Sequence, residues 1–297
     1  MLDRQGIAKK GNWAERGWKG LTLLLVPAAA LLAAGNRLEK TFDTSPNPRI
    51  SVTNVTGQVV VRGWDKPQVH AVYTVVSPRV EVDTEVLPRI GAADKIHFTT
   101  HVLDPLVSGN EQAADYTLDV PIGASLEIRN PQGSVRIEKL QAEASVESVG
   151  GSIIATDCSG HLAARSVGGD IEIIRPSGHV EAYSITGNLH FVSPATSKLR
   201  GSTTSGRILY EGDFVEGGDY VLSDYSGDMD VICPASASYE LNAKTVRGKL
   251  INSLLITPRR RSPSPFSSAS SLLGTHNTGK ATVELKSFSG TIRIRQP

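Results

Sequence analysis

Beyond about residue 48, apolar and polar positions alternate with a period of two in short runs. Ile153/Ala155 is followed by Leu162/Ala164, then Ile171/Ile173, then Val180/Ala182, each run four to six residues long. Such alternation predicts half-buried strands, and beyond the N-terminus no ten-residue window carries a convincing helical period. Between the runs stand S-G, G-G and P-S-G, the chemistry of turns.

The runs themselves recur. The pattern G-x-[apolar]-x-[apolar] appears at Gly57, Gly133, Gly151, Gly169, Gly187, Gly206, Gly227, Gly248 and Gly290. Three residues before each glycine stands a small polar residue: Asn54, Asn130, Ser148, Ser166, Ser184, Thr203, Asp224, Thr245 and Ser287. From Gly133 to Gly248 the steps are 18, 18, 18, 19, 21 and 21 residues. Gly248 to Gly290 is 42, twice 21, and Gly57 to Gly133 is 76, about four repeats. A repeat near 20 residues predicts a chain that coils on itself, each strand pairing in parallel with its copy ~4.8 Å away. The fold expected is therefore an all-β parallel β-solenoid with rungs of 18–21 residues, about nine of them over roughly 45 Å. An antiparallel sandwich is the alternative.

Stacking places equivalent residues in columns. One inward column reads Val135, Ile153, Ile171, Leu189, Ile208, Met229, Leu250, Ile292, and the next Ile137, Ala155, Ile173, Phe191, Tyr210, Val231, Asn252, Ile294. Arg136, Glu172, His190, Asp230 and Arg293 face outward. The interior is expected to be thin and aliphatic, in keeping with an aromatic content of 5%. The glycine serves a corner, where positive φ or close approach of stacked chains excludes a side chain. The polar residue before it bonds its own turn or its copies above and below.

Residues 1–35 differ. Lys9, Lys10, Arg16 and Lys19 precede the apolar run 21–34, which ends in small residues. This is the order of a secretory signal peptide, with an uncleaved N-terminal membrane anchor as the alternative, since the run is short of the about 20 residues of a span. Membrane contact is expected only through residues 21–34, and only if they stay attached. Residues 36–118, with longer turns at Pro67, Pro78, Pro88 and Pro105, are expected to cap the solenoid, and residues 119–297 to form its regular rungs. Residues 256–280, rich in Ser, Pro and Arg, are expected to be a flexible insertion that replaces or decorates one rung.

The string Y-T-L-D-V-P-I-G-A-S-L-E-I-R-N-P-Q-G-S-V-R-I (Tyr116 to Ile137), followed by S-V-G-G-S-I and S-V-G-G-D-I-E-I, resembles the bacterial β-strand-repeat proteins labelled "putative adhesins", a domain family of undefined function. The resemblance spans about residues 48–297 without the insertion. It implies the repeat fold, and an adhesin role by fold analogy alone. The family has no agreed catalytic residues, so none is implied.

The 297 residues carry a formal charge of +1, which points away from nucleic acid and acidic polymers. Export would favour a disulfide between Cys158 and Cys233. The register places them four rungs apart, about 19 Å, beyond the roughly 7 Å a bridge spans, so two free thiols are expected. His161 and His179 occupy equivalent S-G-H positions and should stack on the outside. Only Glu181 stands ready as a further ligand, so they are read as surface histidines. His97 and His101 lie about 13 Å apart on one strand face, too far for a ligand pair. Asp228 and Asp230 flank Met229 and are read as solvated, and nothing selects Asp170, Glu172, Arg165 and Arg207 as a lyase site. G-x-S-x-G, H-E-x-x-H, Walker and C-x-x-C patterns are all missing. No catalytic, cofactor-binding or metal-ligating residue is assigned. The expectation is a non-catalytic, exported envelope protein offering a repetitive surface to a polysaccharide, an envelope protein or itself. A carbohydrate-active β-helix enzyme and a self-assembling scaffold are the alternatives.

Overall fold

A strand buried on one face should read buried–exposed–buried, and most of these do. Ile153–Thr156, Ile171–Ile174, Leu189–Val192 and Ile208–Glu211 each bury their first and third side chains. The computed structural model describes residues 36–104, 106, 109–258 and 270–297. The expected signal peptide or anchor and residues 259–269 of the expected insertion lie outside these.

Among the described residues the protein is all-β, with 24 strands in one hydrogen-bonded, unclosed and mostly parallel network. Apart from strands and turns there is a single 3₁₀ turn, Gly109–Gln112. Each repeat gives one strand to each of two ladders. In the first, Val135, Ile153, Ile171, Leu189, Ile208 and Met229 pair successively in parallel, side by side as expected. In the second, Leu126, Ala144, Leu162, Val180, Leu199 and Tyr220 do the same. Asn36–Thr53 joins the ladders. Its residues 36–43 run antiparallel to Gln68–Val75, and its residues 49–53 lie between Ala93–Val102 and Ser125–Arg129. The Ile153–Ile171–Leu189 ladder rules out a purely antiparallel sandwich. The pairing is compatible with a β-solenoid.

Both ends depart from the order of the sequence. Val59 pairs directly with Val135, so the 75 residues between Gly57 and Gly133 hold no intervening units. They leave the stack and extend it outward. Ala114–Pro121 lies parallel to Val59–Trp64, Gln68–Val75 runs antiparallel to Ala114–Pro121, and a hairpin of Val80–Leu87 and Ala93–Val102 prolongs the second ladder. At the other end Ile292 pairs with both Met229 and Leu250, so the last unit inserts between two that precede it. The chain passes through Tyr239–Asn252, turns out, and returns. Within the expected insertion, Ser270–His276 is a strand, antiparallel to Tyr239–Thr245.

The side chains explain the swap. Ile292 and Ile294 are fully buried, whereas Asn252 occupies the same column as Ile294. Mid-stack its amide would face only aliphatic neighbours, at a cost of a few kcal/mol. At the end it donates to the Leu254 carbonyl at 2.8 Å and accepts from the Leu254 amide at 3.2 Å.

The interior differs from the aliphatic expectation. It is aliphatic where the step is 18, with Ala144, Ala155, Ala164 and Ala182 among isoleucines, leucines and valines. Where the step rises to 19–21, and in the N-terminal region, the largest buried side chains are Tyr73, Phe98, Tyr116, Phe191, Tyr210, Tyr220 and Tyr239. Longer corners leave a wider cross-section, and rings fill it at edge-to-face distances of 4.9–5.9 Å among Tyr210, Phe214, Tyr220 and Tyr239. Buried phenols need partners: Tyr220 donates to the Thr196 carbonyl at 2.6 Å, and Tyr210 to that of Asp213 at 2.7 Å.

Candidate functional site: a ridge along the corner

Every repeat turns its corner through the four residues that end in the column glycine. The first is buried, and where it is serine its hydroxyl accepts the amide of that glycine: Ser148 from Gly151 at 3.0 Å, Ser166 from Gly169 at 2.8 Å, Ser184 from Gly187 at 2.9 Å and Ser287 from Gly290 at 2.9 Å. Among the column glycines, only Gly57 and Gly133 have positive φ, 114° and 105°. At the others the reason is close approach: a Cβ on Gly169 would strike the Gly151 carbonyl oxygen, and one on Gly290 that of Gly227.

With the first residue turned in and the glycine against its neighbour, the second corner residue has nowhere to go but out. Backbone bonds hold these residues in file. Gly168 donates to Val149 O at 2.7 Å, Thr186 to Val167 O at 2.8 Å, Ser205 to Ile185 O at 3.0 Å, Ser226 to Thr204 O at 2.9 Å, Ser289 to Tyr225 O at 3.0 Å and Arg247 to Phe288 O at 2.7 Å. The file runs Val149, Val167, Ile185, Thr204, Tyr225, Phe288, Val246. Its large members Val149, Val167, Ile185, Tyr225 and Val246 are 41–56% exposed. Tyr225 and Phe288 stack at 4.8 Å with planes 4° apart, and the Arg247 guanidinium lies 5.3 Å from the Phe288 ring. Beside the ridge runs a polar column of the second ladder, Arg129, Glu147, Arg165 and Tyr183. Between them, Arg129, Pro131, Glu147, Val149, Arg165 and Val167 line a shallow groove of about 310 Å³.

A second groove of about 520 Å³, of mixed polar and apolar lining, lies on the outer face of the second ladder among Arg49, Lys95, His97, Leu126, Glu127 and Glu143. Glu127 is engaged by Arg129 Nη2 at 2.9 Å, and Glu143 lies 3.8 Å from His161.

The sequence-selected side chains fall as follows. His161 and His179 stack, with ring centroids 4.7 Å apart. Burial, then the neighbouring His161 and Lys198, hold the His179 imidazole below its ordinary pKa. His97 and His101 share one strand and form no pair; His101 meets Asp83 at 3.2 Å. Asp228 accepts the Thr291 amide at 3.0 Å, which with Arg293 Nη1 at 2.9 Å holds its carboxyl below the usual range. Asp230 is not solvated as expected. It is buried beneath Arg207, whose Nε donates to it at 2.8 Å, with Arg293 at 3.7 Å. The set Asp170, Glu172, Arg165 and Arg207 is not brought together. Arg165 stands in the second ladder, Asp170 accepts from Asn188, Glu172 faces His190, and Arg207 pairs Asp230. The ridge escaped the sequence reading because alternation scores strand positions only. Its signal was present in the apolar second residue of each corner.

No protein-family model and no curated protein matches the chain. Solved structures do. A protein of Bacteroides fragilis described as a putative adhesin superposes with a TM-score of 0.50 at 11% identity, over 87% of this chain and 97% of that one. A putative adhesin from Parabacteroides distasonis gives 0.41 at 11%, over 88% and 98%. A putative cell adhesion protein from Clostridium sporogenes gives 0.31 at 10%, over 88% and 100%. The first of these supports a shared fold, in agreement with the family that the Tyr116–Ile137 string resembles.

Proposed function

We propose that this is a non-catalytic adhesin-type protein, exported to the cell envelope or beyond it, that binds a partner along the exposed corner ridge of a β-solenoid. The N-terminal region 36–118 caps that solenoid and residues 119–297 form its coils. The ridge carries the reading. Seven consecutive corners hold their second residue outside, and six of those residues are apolar or aromatic. Turns ordinarily place polar residues there, and a file of exposed apolar residues, here interrupted at Thr204, marks an interaction site. A repeat near 4.8 Å along the strip suits an extended, repetitive partner, such as a polysaccharide or an envelope protein. The adhesin name borne by the Bacteroides fragilis protein of like fold agrees with this use of the surface.

Neither alternative draws a specific observation. The lyase set is dispersed. For end-to-end assembly, the outermost strand of the first ladder, residues 36–43, carries Arg37, Glu39, Lys40 and Asp43, charges that oppose strand addition.

The test is a glycan array and an envelope-fraction pull-down with the full chain, repeated with Val167→Lys/Ile185→Lys. Binding should be lost with an unchanged melt. Retention of all binding refutes the ridge, and turnover of any polymer in a parallel cleavage screen refutes the non-catalytic reading.

A further inference from the structure

We propose that His161, His179 and Glu181 bind a divalent transition-metal ion of the zinc class on the outer face of the second ladder. The sequence alone argued for plain surface histidines, because it offered one carboxylate and no geometry. The structure supplies the geometry. Leu162 pairs with Val180 in parallel, which sets His161 beside His179 on adjacent strands. Glu181 lies two residues beyond His179 on the same strand face, its Oε1 3.4 Å from His179 Nε2. One donor atom from each of the three residues falls within 4.8 Å of the others.

An independent observation points to a ligand there. Nε2 of His161 and Nε2 of His179 are both shut off from solvent and neither has a hydrogen-bond partner. Yet the side chains as wholes are 40% and 30% exposed. A partly exposed imidazole has ready access to water, so two neighbouring rings that both withdraw the same nitrogen are unusual. A bound cation would satisfy both nitrogens at once. Glu143, just ahead of the preceding strand Ala144–Glu147, has its Oε1 3.8 Å from His161 Nδ1, the far nitrogen of that ring. That is beyond hydrogen-bond distance, and a small side-chain rotation would bring the carboxylate to where it orients a metal-bound imidazole.

Two imidazole nitrogens and one carboxylate oxygen suit zinc, copper(II) or nickel(II) rather than calcium or magnesium, which prefer all-oxygen shells. Tetrahedral zinc with bonds near 2.0–2.1 Å wants donors roughly 3.4 Å apart. The side chains must therefore close by about an ångström and turn their rings out of the stack, which partly exposed rotamers allow. The fourth position is left to water. On the following strand Lys198 and Arg200 stand beside His179 and Glu181. Their charge weakens the site, and Arg200 is partly drawn off by Asp219 at 3.6 Å. The proposal is independent of what the ridge binds.

The test is calorimetric titration of the full chain, free of any histidine tag and stripped with a chelator, with zinc chloride and with copper(II) chloride. The expected result is saturation at one ion per chain. Affinity should fall by at least about 10- to 100-fold, the loss typical of an outer-shell partner, in His161→Ala and in His179→Ala, and stay unchanged in His190→Ala. Electron paramagnetic resonance of the copper(II) form needs no variant and should show two coupled imidazole nitrogens. No uptake, affinity indifferent to both histidine variants, or a copper spectrum with fewer than two nitrogens overturns the proposal.

Discussion

Phe191 in the first ladder and Gly201 in the second face each other across the interior, and the ring occupies the space that a Cβ on Gly201 would need. Phe191 Cε2 and Cζ, and Leu222 Cδ2, each lie 2.9 Å from that point. The columns concerned run Ala155, Ile173, Phe191, Tyr210 on one side and Ala164, Ala182, Gly201, Leu222 on the other. At the Phe191 rung one side gains a ring and the other gives up its side chain. Gly201→Ala should therefore destabilise by about 1–3 kcal/mol through overpacking, although alanine is ordinarily the better strand residue. Combined with Phe191→Leu, the pair should cost clearly less than the sum of the singles in chemical denaturation. Strict additivity would mean the two do not share the space.

Inward and outward positions are tested by neighbours. Ile171 is 1% exposed between Ile153 and Leu189, while Glu172 faces out beside His190. Ile171→Asp should cost several kcal/mol, because the carboxylate has no partner in an aliphatic interior. Glu172→Lys should change stability by less than about 1 kcal/mol. Equal losses in a thermal melt would contradict the assignment.

Asp224 occupies the corner position that elsewhere holds Ser, Thr or Asn. Its carboxyl faces the amides of Tyr225, Ser226 and Gly227 without a well-formed bond to any, and burial raises its pKa to about 6. A raised carboxyl pKa means the folded state binds the proton more tightly than the unfolded state. Stability therefore falls as pH rises from about 4 to about 6 and stays reduced above, by about 1–3 kcal/mol. Asp224→Ser, which restores the hydroxyl seen at Ser148 and Ser287, should raise the melting temperature at pH 7.5 and leave it nearly unchanged at pH 4. Melts of both proteins across that range decide it, and a constant difference between them would remove Asp224 as the cause.

Cys158 and Cys233 are buried and free. Burial raises both thiols, that of Cys233 to about 11, so little nucleophilic thiolate forms at neutral pH. Four parallel strand steps separate the units that carry them, about 19 Å. Both should react with a thiol reagent only after unfolding, and mass measurement of the non-reduced chain alkylated in denaturant should find two adducts. An intramolecular bridge would contradict the register.

The repeat itself was legible. A polar residue, two spacers and a glycine every 18–21 residues, with alternation after each, determined the strands, the parallel pairing of Val135 through Met229 and which side chains face in. These follow from local chemistry: pleat alternation, and a corner too tight for a side chain. Sequence order could not decide stacking order. Gly57 lies against Gly133, and Gly290 between Gly227 and Gly248, because any two units of this pattern offer each other the same ladder. What selects the neighbour is burial, which sends Asn252 to the end and Ile294 to the middle. The wide aromatic section, the buried Asp230 and the convergence of two imidazole nitrogens with Glu181 likewise depend on which strands lie side by side. Column membership came from spacing. What each column touches across the interior or across the surface was set only when the stack closed around it.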